Sequence, residues 1–405
     1  MVNPTQVPVS GPLAQFRSGF ASELVRQGYK TNPAGLQMNL MAHLSRWLSA
    51  EGLDVHRLSD TEVERYLRAR RAAGWVNHCG SRAMQPMLAY LRGLGVAPTP
   101  PIPSPEGPVE VILERYRHYL TVDRGLAPAT ARGYLYAVRP FLCGRILPDG
   151  HALNLDHLHT ADITAFVVAC CAHCSRGTAK RTVTALRSLL RFLHVKGMVK
   201  RSLVAAVPSI ARWHLAGLPK SLEPAQVRSL LASCDRRTRS GRRDFAILTL
   251  LVRLGLRAGE VAALALDDID WRAGEMVVHG KGKRADRLPL PTDVGAAMAA
   301  YLRRGRRANA EVRSVFVRVN APHRALSTSG VAHVVTTAAR RAGLGHIHAH
   351  RLRHTTATQL LRAGASLPEI GQLLRHRRVL TTAIYAKVDR EALRTIARPW
   401  PGGVE

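Results

Sequence analysis

The sequence predicts a mainly α-helical chain with one small β-sheet, arranged as helical modules followed by a mixed module. Three observations lead there. Apolar residues recur at three- and four-residue spacing through most of the 405 residues. Short runs that read as strands cluster in one region, at 276–280, 287–291 and 315–319. Two proline-rich breaks cut the chain into three blocks.

The first break, "PTPPIPSPEGP" (98–108), holds six prolines in eleven positions. Proline fixes φ and removes a backbone donor, so this stretch is a stiff linker and neither helix nor inner strand. The second, "VPSIARWHLAGLPKSLEP" (207–224), contains Pro208, Gly217, Pro219 and Pro224. The resulting blocks are 1–97, 109–206 and 222–399, with 207–221 as linker and 400–405 as tail.

Block one carries an apolar helix face at Met84, Met87, Leu88 and Leu91. Block two opens on a helix with Ile112, Tyr116, Tyr119 and Leu120 on one side. It continues with "LAPATARGYLYAVRPFL", in which Ala131, Leu135, Val138 and Leu142 keep the period, and adds a face at Val183, Leu186, Leu190 and Leu193. "LSDTEVERYL" (58–67) aligns with "LHTADITAFV" (158–167), and "AMQPMLAYLRGLGV" (83–96) with "RTVTALRSLLRFLHVKGM" (181–198). The two blocks read either as a divergent duplication or as two independent helical bundles.

Block three is mixed. "EPAQVRSLLASC" starts a helix after Leu222, and "DFAILTLLVRLG" is a buried helix ending near Gly255. "MVVHG" and "RLPLP" flank the turn "KGKRAD" as a β-hairpin, and "VFVRV" (315–319) reads as another strand. Helices return from about residue 328.

Composition narrows the function. Lys and Arg number 59 against 28 Asp and Glu, a net charge of +31 and a pI near 11.3. Such an excess calls for a polyanionic partner, and nucleic acid fits because phosphate neutralisation releases counterions. A hydrophobic fraction of 46% excludes general disorder. No apolar run is long enough to span a bilayer, since "FAILTLLV" (245–252) stops at Arg253. The first residues lack signal-peptide character, which predicts a cytosolic protein with reduced thiols. "CCAHC" (170–174) invites a metal reading, but it lacks a second ligand pair and lies in an apolar helix, so packing is expected of it.

Individual residues then suggest chemistry. Arg257 sits between a buried helix and one opened by Gly259 and Glu260. It either pairs with Glu260 or Asp268, or holds a phosphate. Lys281 and Lys283 lie on the Gly-rich hairpin turn. His346, His348, His350 and His354 resemble a metal cluster at first sight. His350 and His354 have the spacing of a zinc helix, but no glutamate stands between them. His350 and Arg353, three apart, share a helix face and set a proton carrier beside an anion holder. His376 and Tyr385 follow across "RRVLTT", with Thr381 or Thr382 able to cap a helix presenting Tyr385. Arg236, Arg237, Arg239, Arg242 and Arg243 form a dense run readable as phosphate contacts or as a solvated face.

Taken in order, "GLRAGE", "GKGK", "HRLRHTTATQLL" and "LLRHRRVLTTAIY" resemble the catalytic domain of tyrosine recombinases, the phage integrase and Xer family. Block two resembles, more weakly, that family's helical SAM-like core-binding domain. One departure from the motifs is visible, in that Arg375 stands before His376 where the family usually has Gly; block one, in addition, lies outside the minimal family plan. The resemblance implies a site-specific recombinase acting in integration, excision or resolution of a DNA element, a mobile one among them. Tyr385 would be the nucleophile and would form a 3′-phosphotyrosyl bond. Arg257, Arg353 and His376 would hold the phosphate oxygens, Lys281 would protonate the leaving 5′-oxygen, and His350 would assist the proton. Arg236, Arg237, Arg242, Arg243, Lys283 and Arg375 are candidate DNA contacts. The resemblance implies no cofactor and no metal. It also implies double-stranded DNA clamped between the helical and catalytic blocks, a homotetramer on paired sites, alone or assembled with related recombinases, and a place on the bacterial nucleoid. A type IB topoisomerase and an inactive DNA-binding protein on the same scaffold are the alternatives.

Overall fold

The computed structural model describes residues 7–100, 106–172, 174–209, 221–280, 285–307, 311–375, Thr382 and Tyr385. The mainly helical reading with one small sheet holds. The chain divides into two compact units, one of Met1–Pro98 with Leu215–Glu405, the other Thr99–His214. Block one therefore folds with block three, which the linker pattern alone did not predict.

The second unit contains helices α5 (Pro108–His118), α6 (Pro128–Cys143), α7 (Thr160–Ala172) and α8 (Arg176–Val195). The expected faces are inside: Ile112, Tyr116, Leu120, Val138, Leu142, Val183, Leu186, Leu190 and Leu193 are buried together. Tyr116 and Tyr119 pack against Phe192, and the buried Tyr116 hydroxyl donates to Ala185 O at 3.3 Å, so its polar end is satisfied. Cys170, Cys171 and Cys174 are free and half-buried, with Cys171 against this core.

In the first unit, helices α1 (Arg17–Arg26), α2 (Thr31–Ala50), α3 (Asp60–Ala72) and α4 (Ser81–Gly93) enclose one apolar cluster that includes Met84, Met87, Leu88 and Leu91. Helices α3 and α7 are both 13 residues long and occupy the positions that the internal alignment pairs. The turn after α1 meets block three. The His323 N–H donates to Gln27 O at 3.2 Å, and Arg26 pairs with Glu311 at 3.1 Å. Gly28 has φ +83°, and a Cβ there would lie 2.2 Å from His323 Cδ2, so only glycine allows this approach.

Block three is built on α10 (Arg239–Arg253), whose Ala246–Val252 run is buried on every side. Each fully buried Leu or Ile there contributes about 1.5–3 kcal/mol of transfer free energy. Around α10 lie α12 (Thr292–Arg304), α13 (Thr328–Arg341) and α14 (Ala349–Arg362), with α9 (Pro224–Ala232) and α11 (Ala258–Ala263) at its ends. Helix α15 (Leu367–Leu373) packs on α14. The sheet is antiparallel in the order β1 (Ile269–Asp270), β2 (Glu275–His279), β3 (Ala285–Pro289), with Met276 opposite Leu288. Met276 and Val278 alternate into the core, which sets this register.

The stretch 315–319 is not a strand of this sheet. Only isolated bridges form nearby, Ala265 to Ser314 and Val317 to Ala325. The run is apolar because Val315, Phe316 and Val317 are core residues. Its backbone is satisfied elsewhere, through Val315 N–H to Leu264 O and Val317 N–H to the Tyr301 hydroxyl. Among the described residues, no helix is long and apolar enough to cross a membrane.

Candidate active site

Helix α10 ends in a turn through Gly255, where φ is +57° and a Cβ would meet Leu374 Cδ2 at 2.5 Å. Glycine is thus required both by conformation and by space. The turn delivers Arg257 to the N-cap of α11. Glu260, in the first turn of α11, reaches back: Oε2 accepts the Arg257 backbone N–H at 2.8 Å and Oε1 accepts Nη1 at 2.6 Å. Burial alone would raise the Glu260 pKa. The Arg257 N–H and the Arg375 and Arg257 guanidinium groups outweigh it, so the carboxyl is held below its usual range and is ionised. Asp268, the other candidate partner, bonds His279 at 2.8 Å instead.

Helix α14 is pinned beneath this turn by its threonines. The buried Thr356 hydroxyl donates to Val252 O at 2.7 Å at the end of α10, and Thr355 accepts the Leu222 N–H at 2.9 Å. Arg353, only 1% exposed, projects from the same helix. Its Nη1 donates to Gly255 O at 2.6 Å and its Nη2 to Leu374 O. One guanidinium therefore ties the turn after α10 to the turn after α15, and three of its five N–H groups remain for other acceptors. Burial first, and then the neighbouring Arg257, lowers its pKa to about 10, so it stays charged at neutral pH.

His350, one turn earlier on α14, keeps an exposed edge. Desolvation of its other side, then Arg353 and Arg257, lowers its pKa. Its ring meets His354 edge-on at 4.4 Å between centroids. His354 in turn holds Tyr385, with Nδ1 2.9 Å from the phenol oxygen. Tyr385 is 1% exposed, and burial raises its pKa while Arg353 opposes that. With His354 protonated on Nε2, Nδ1 accepts the phenolic hydrogen. The arrangement stores Tyr385 as a neutral phenol.

His354 was legible only as a metal candidate. Among the described residues no group of three or more His, Cys, Asp or Glu is placed to hold a metal ion. The signal for its bond to Tyr385 lies in contacts between residues 31 apart, which no local pattern carries. Lys281, Lys283 and His376, with Thr381 and the chain after Tyr385, lie outside the described residues. The arginine run divides by use. Arg237 is 97% exposed on the side chain, Arg236 lies over the Phe245 ring at 4.4 Å, and Arg242 contacts Arg304 O. Arg243 is spent internally on Asp244 at 2.7 Å. Arg375 is in a buried ion pair with Glu260 and not on an open surface.

The histidines set a pH dependence. The His354 pKa is pushed down to about 4, first by burial and then by His350 and Arg353. Its folded value lies below the ordinary ~6.5, so the stability that the neutral ring confers is present above ~6.5 and is lost as pH falls toward about 4. The urea midpoint should therefore drop between about pH 7 and about pH 4.5, and His354→Asn should flatten that drop. A wild-type midpoint constant across this window would contradict the desolvated ring.

Known proteins give a consistent picture. Residues 220–392 match the phage integrase family, and 113–197 match the phage integrase N-terminal SAM-like domain. A Sinorhizobium fredii (strain NBRC 101917 / NGR234) protein named, as an inference, integrase/recombinase y4rA is 40% identical over 399 residues, covering 98% of this chain and 96% of that protein. The tyrosine recombinase XerD of Mycobacterium tuberculosis (strain ATCC 25618 / H37Rv) is 33% identical over 309 residues, covering 72% of this chain and 96% of the relative. Among solved structures, the XerH site-specific recombinase bound to a palindromic difH substrate, in a post-cleavage complex, aligns with a TM-score of 0.55 at 17% identity. The alignment covers 82% of this chain and 93% of that one, a likeness of fold.

Proposed function

Because this chain belongs to the phage integrase family, the tyrosine-type site-specific DNA recombinases, we propose that it cuts and rejoins DNA through a 3′-phosphotyrosyl bond on Tyr385. The observation that carries this reading is the convergence of Arg257, Arg353 and His350 next to a phenol held by His354. Tyr385 Oη attacks the scissile phosphorus, the P–O5′ bond breaks, and the phenolic proton passes to the imidazole nitrogen already hydrogen-bonded to it, His354 Nδ1 at 2.9 Å, with His350 beside that ring. Arg257 and Arg353 receive the charge that builds on the non-bridging oxygens, and Lys281 returns a proton to O5′. Attack by a 5′-hydroxyl on the phosphotyrosyl bond reverses these steps and joins the strands. The bond keeps the energy of the one it replaced, so no nucleotide is consumed.

Tyr385 and Arg353 are both closed to solvent, so the arrangement described is a resting one. A phosphate reaches Arg353 only after this corner opens, and DNA binding supplies the opening. We place the working form in a tetramer on two paired DNA sites and assign it the integration, excision or resolution of a mobile element. The net charge of +31 supports tight duplex binding. With 6–10 phosphate contacts, affinity for duplex DNA should fall about 10³–10⁵-fold between about 50 and about 200 mM salt. Filter binding across that range checks it.

The test of the chemistry is covalent trapping. Nicked duplexes drawn from DNA flanking the gene are mixed with the protein, denatured and searched for a protein–DNA adduct linked through a 3′-phosphate. Salt-sensitive binding with no adduct on any flanking duplex would count for a binding protein on this scaffold.

A further inference from the structure

Arg375 is the residue at which this chain departs from the pattern it otherwise resembles, and its surroundings are unusual. Its side chain is 7% exposed, and Nη2 lies 2.7 Å from Glu260 Oε2. Nη1 donates to Leu373 O at 3.2 Å, and the backbone N–H to Gln372 O at 2.9 Å. The backbone adopts φ +54°, in the left-handed region where a side chain is strained and glycine is not. Such strain persists only where the surroundings hold it, and an observed outlier of this kind points toward function. The neighbours are not arranged for stability alone. Arg375 Nε is buried without a hydrogen bond among the described residues, and Asp286 Oδ2 on β3 lies 4.0 Å from it.

We propose that Arg375 is a positioning residue that aims Arg257 at the scissile phosphate through Glu260. This rests on the reading of Arg257 as a phosphate-holding group. The Glu260 side chain is 5% exposed and both of its oxygens are engaged. Oε1 takes Arg257 Nη1, while Oε2 takes the Arg257 N–H and Arg375 Nη2. A carboxylate held from both sides cannot rotate, so the Arg257 side chain bonded to it is fixed in direction. Charge supplies the second effect. Arg257 with Glu260 alone is a neutral pair, whereas two guanidinium groups sharing one carboxylate carry a net +1. Arg375 and Glu260 are buried, and Arg257, at 45% side-chain exposure, is the member that faces out. The surplus positive charge, offset in part by the half-exposed Asp286 4.0 Å from Arg375 Nε, therefore presents itself to an arriving anion through Arg257.

The test uses the full chain on nicked duplex, with adduct formation at saturating DNA and equilibrium binding measured separately. Arg375→Gly suits the backbone and should fold. It should form adduct about 10- to 100-fold more slowly, less than the cost of deleting an oxyanion donor outright, with Kd little changed. Arg375→Lys should recover part of the rate. In a Glu260→Gln background, Arg375→Gly should change the rate by no more than about twofold, because the route through Glu260 is already broken. Thermal melts of each variant establish that the fold is present, and Arg375→Lys carries the comparison if the glycine variant melts early. Wild-type rate in Arg375→Gly, a loss that multiplies in full with that of Glu260→Gln, or a loss confined to Kd would each overturn the proposal. Wild-type protein that forms no adduct overturns the Tyr385 reading instead, so the two failures are distinguishable.

Discussion

Tyr385→Phe should abolish the covalent DNA adduct while leaving duplex binding and the fold in place. Phenylalanine keeps the ring, and so keeps the packing of a side chain that is 1% exposed. It removes the oxygen that would bond to phosphorus and that lies 2.9 Å from His354 Nδ1. Losing that hydrogen bond costs about 1 kcal/mol, a small shift in the unfolding midpoint. Phenylalanine carries no oxygen to attack phosphorus, so the adduct through residue 385 is lost entirely. The measurement is a denaturing gel of protein with labelled nicked duplex, beside a binding assay on the same DNA. An adduct that persists in Tyr385→Phe assigns the chemistry to another of the nine tyrosines.

Arg353→Ala should damage both stability and rate. The guanidinium joins Gly255 O to Leu374 O, two carbonyls on separate turns, so truncation strands both acceptors and opens a cavity. Each unsatisfied buried group costs about 1–3 kcal/mol, offset in part by releasing a desolvated charge, for a net loss of about 2–4 kcal/mol. Removal of a preorganised donor at a developing oxyanion lowers the cleavage rate a further ~10²–10³-fold. Arg353→Lys should not rescue, because an ammonium cannot span both carbonyls as the planar fork does. Urea unfolding and single-turnover cleavage of the same preparations check the two effects. Arg353→Ala with wild-type stability and a near-wild-type rate would remove Arg353 from both roles.

The places where sequence reading reached its limit share a cause. Helix faces were legible because amphipathic periodicity is local: Met84 to Leu91 and Val183 to Leu193 are buried as their spacing predicts. The hairpin of β2 and β3 was legible for the same reason, since alternation around a Gly-rich turn has no other use. The stretch 315–319 misled because a buried apolar run of five residues looks alike as a strand and as an irregular core segment; pairing partners decide, and they are distant in sequence. The grouping of residues 7–98 with the catalytic block turns on Gln27, Gly28 and His323, about which neither local pattern says anything.

By itself the sequence determined the helical class, the polyanionic partner implied by +31, and the order of Arg257, Lys281, His350, Arg353, His376 and Tyr385, because composition, period and motif order are properties of the chain alone. Only the tertiary structure decided which charges meet. Glu260 is shared by Arg257 and Arg375, Arg353 bridges two backbone carbonyls, and Tyr385 rests on His354. Those pairings join residues 21 to 115 positions apart wherever α14 and the turn after α15 are involved. In a buried corner each donor and acceptor has to find a partner, and packing, not sequence distance, determines which one is within reach.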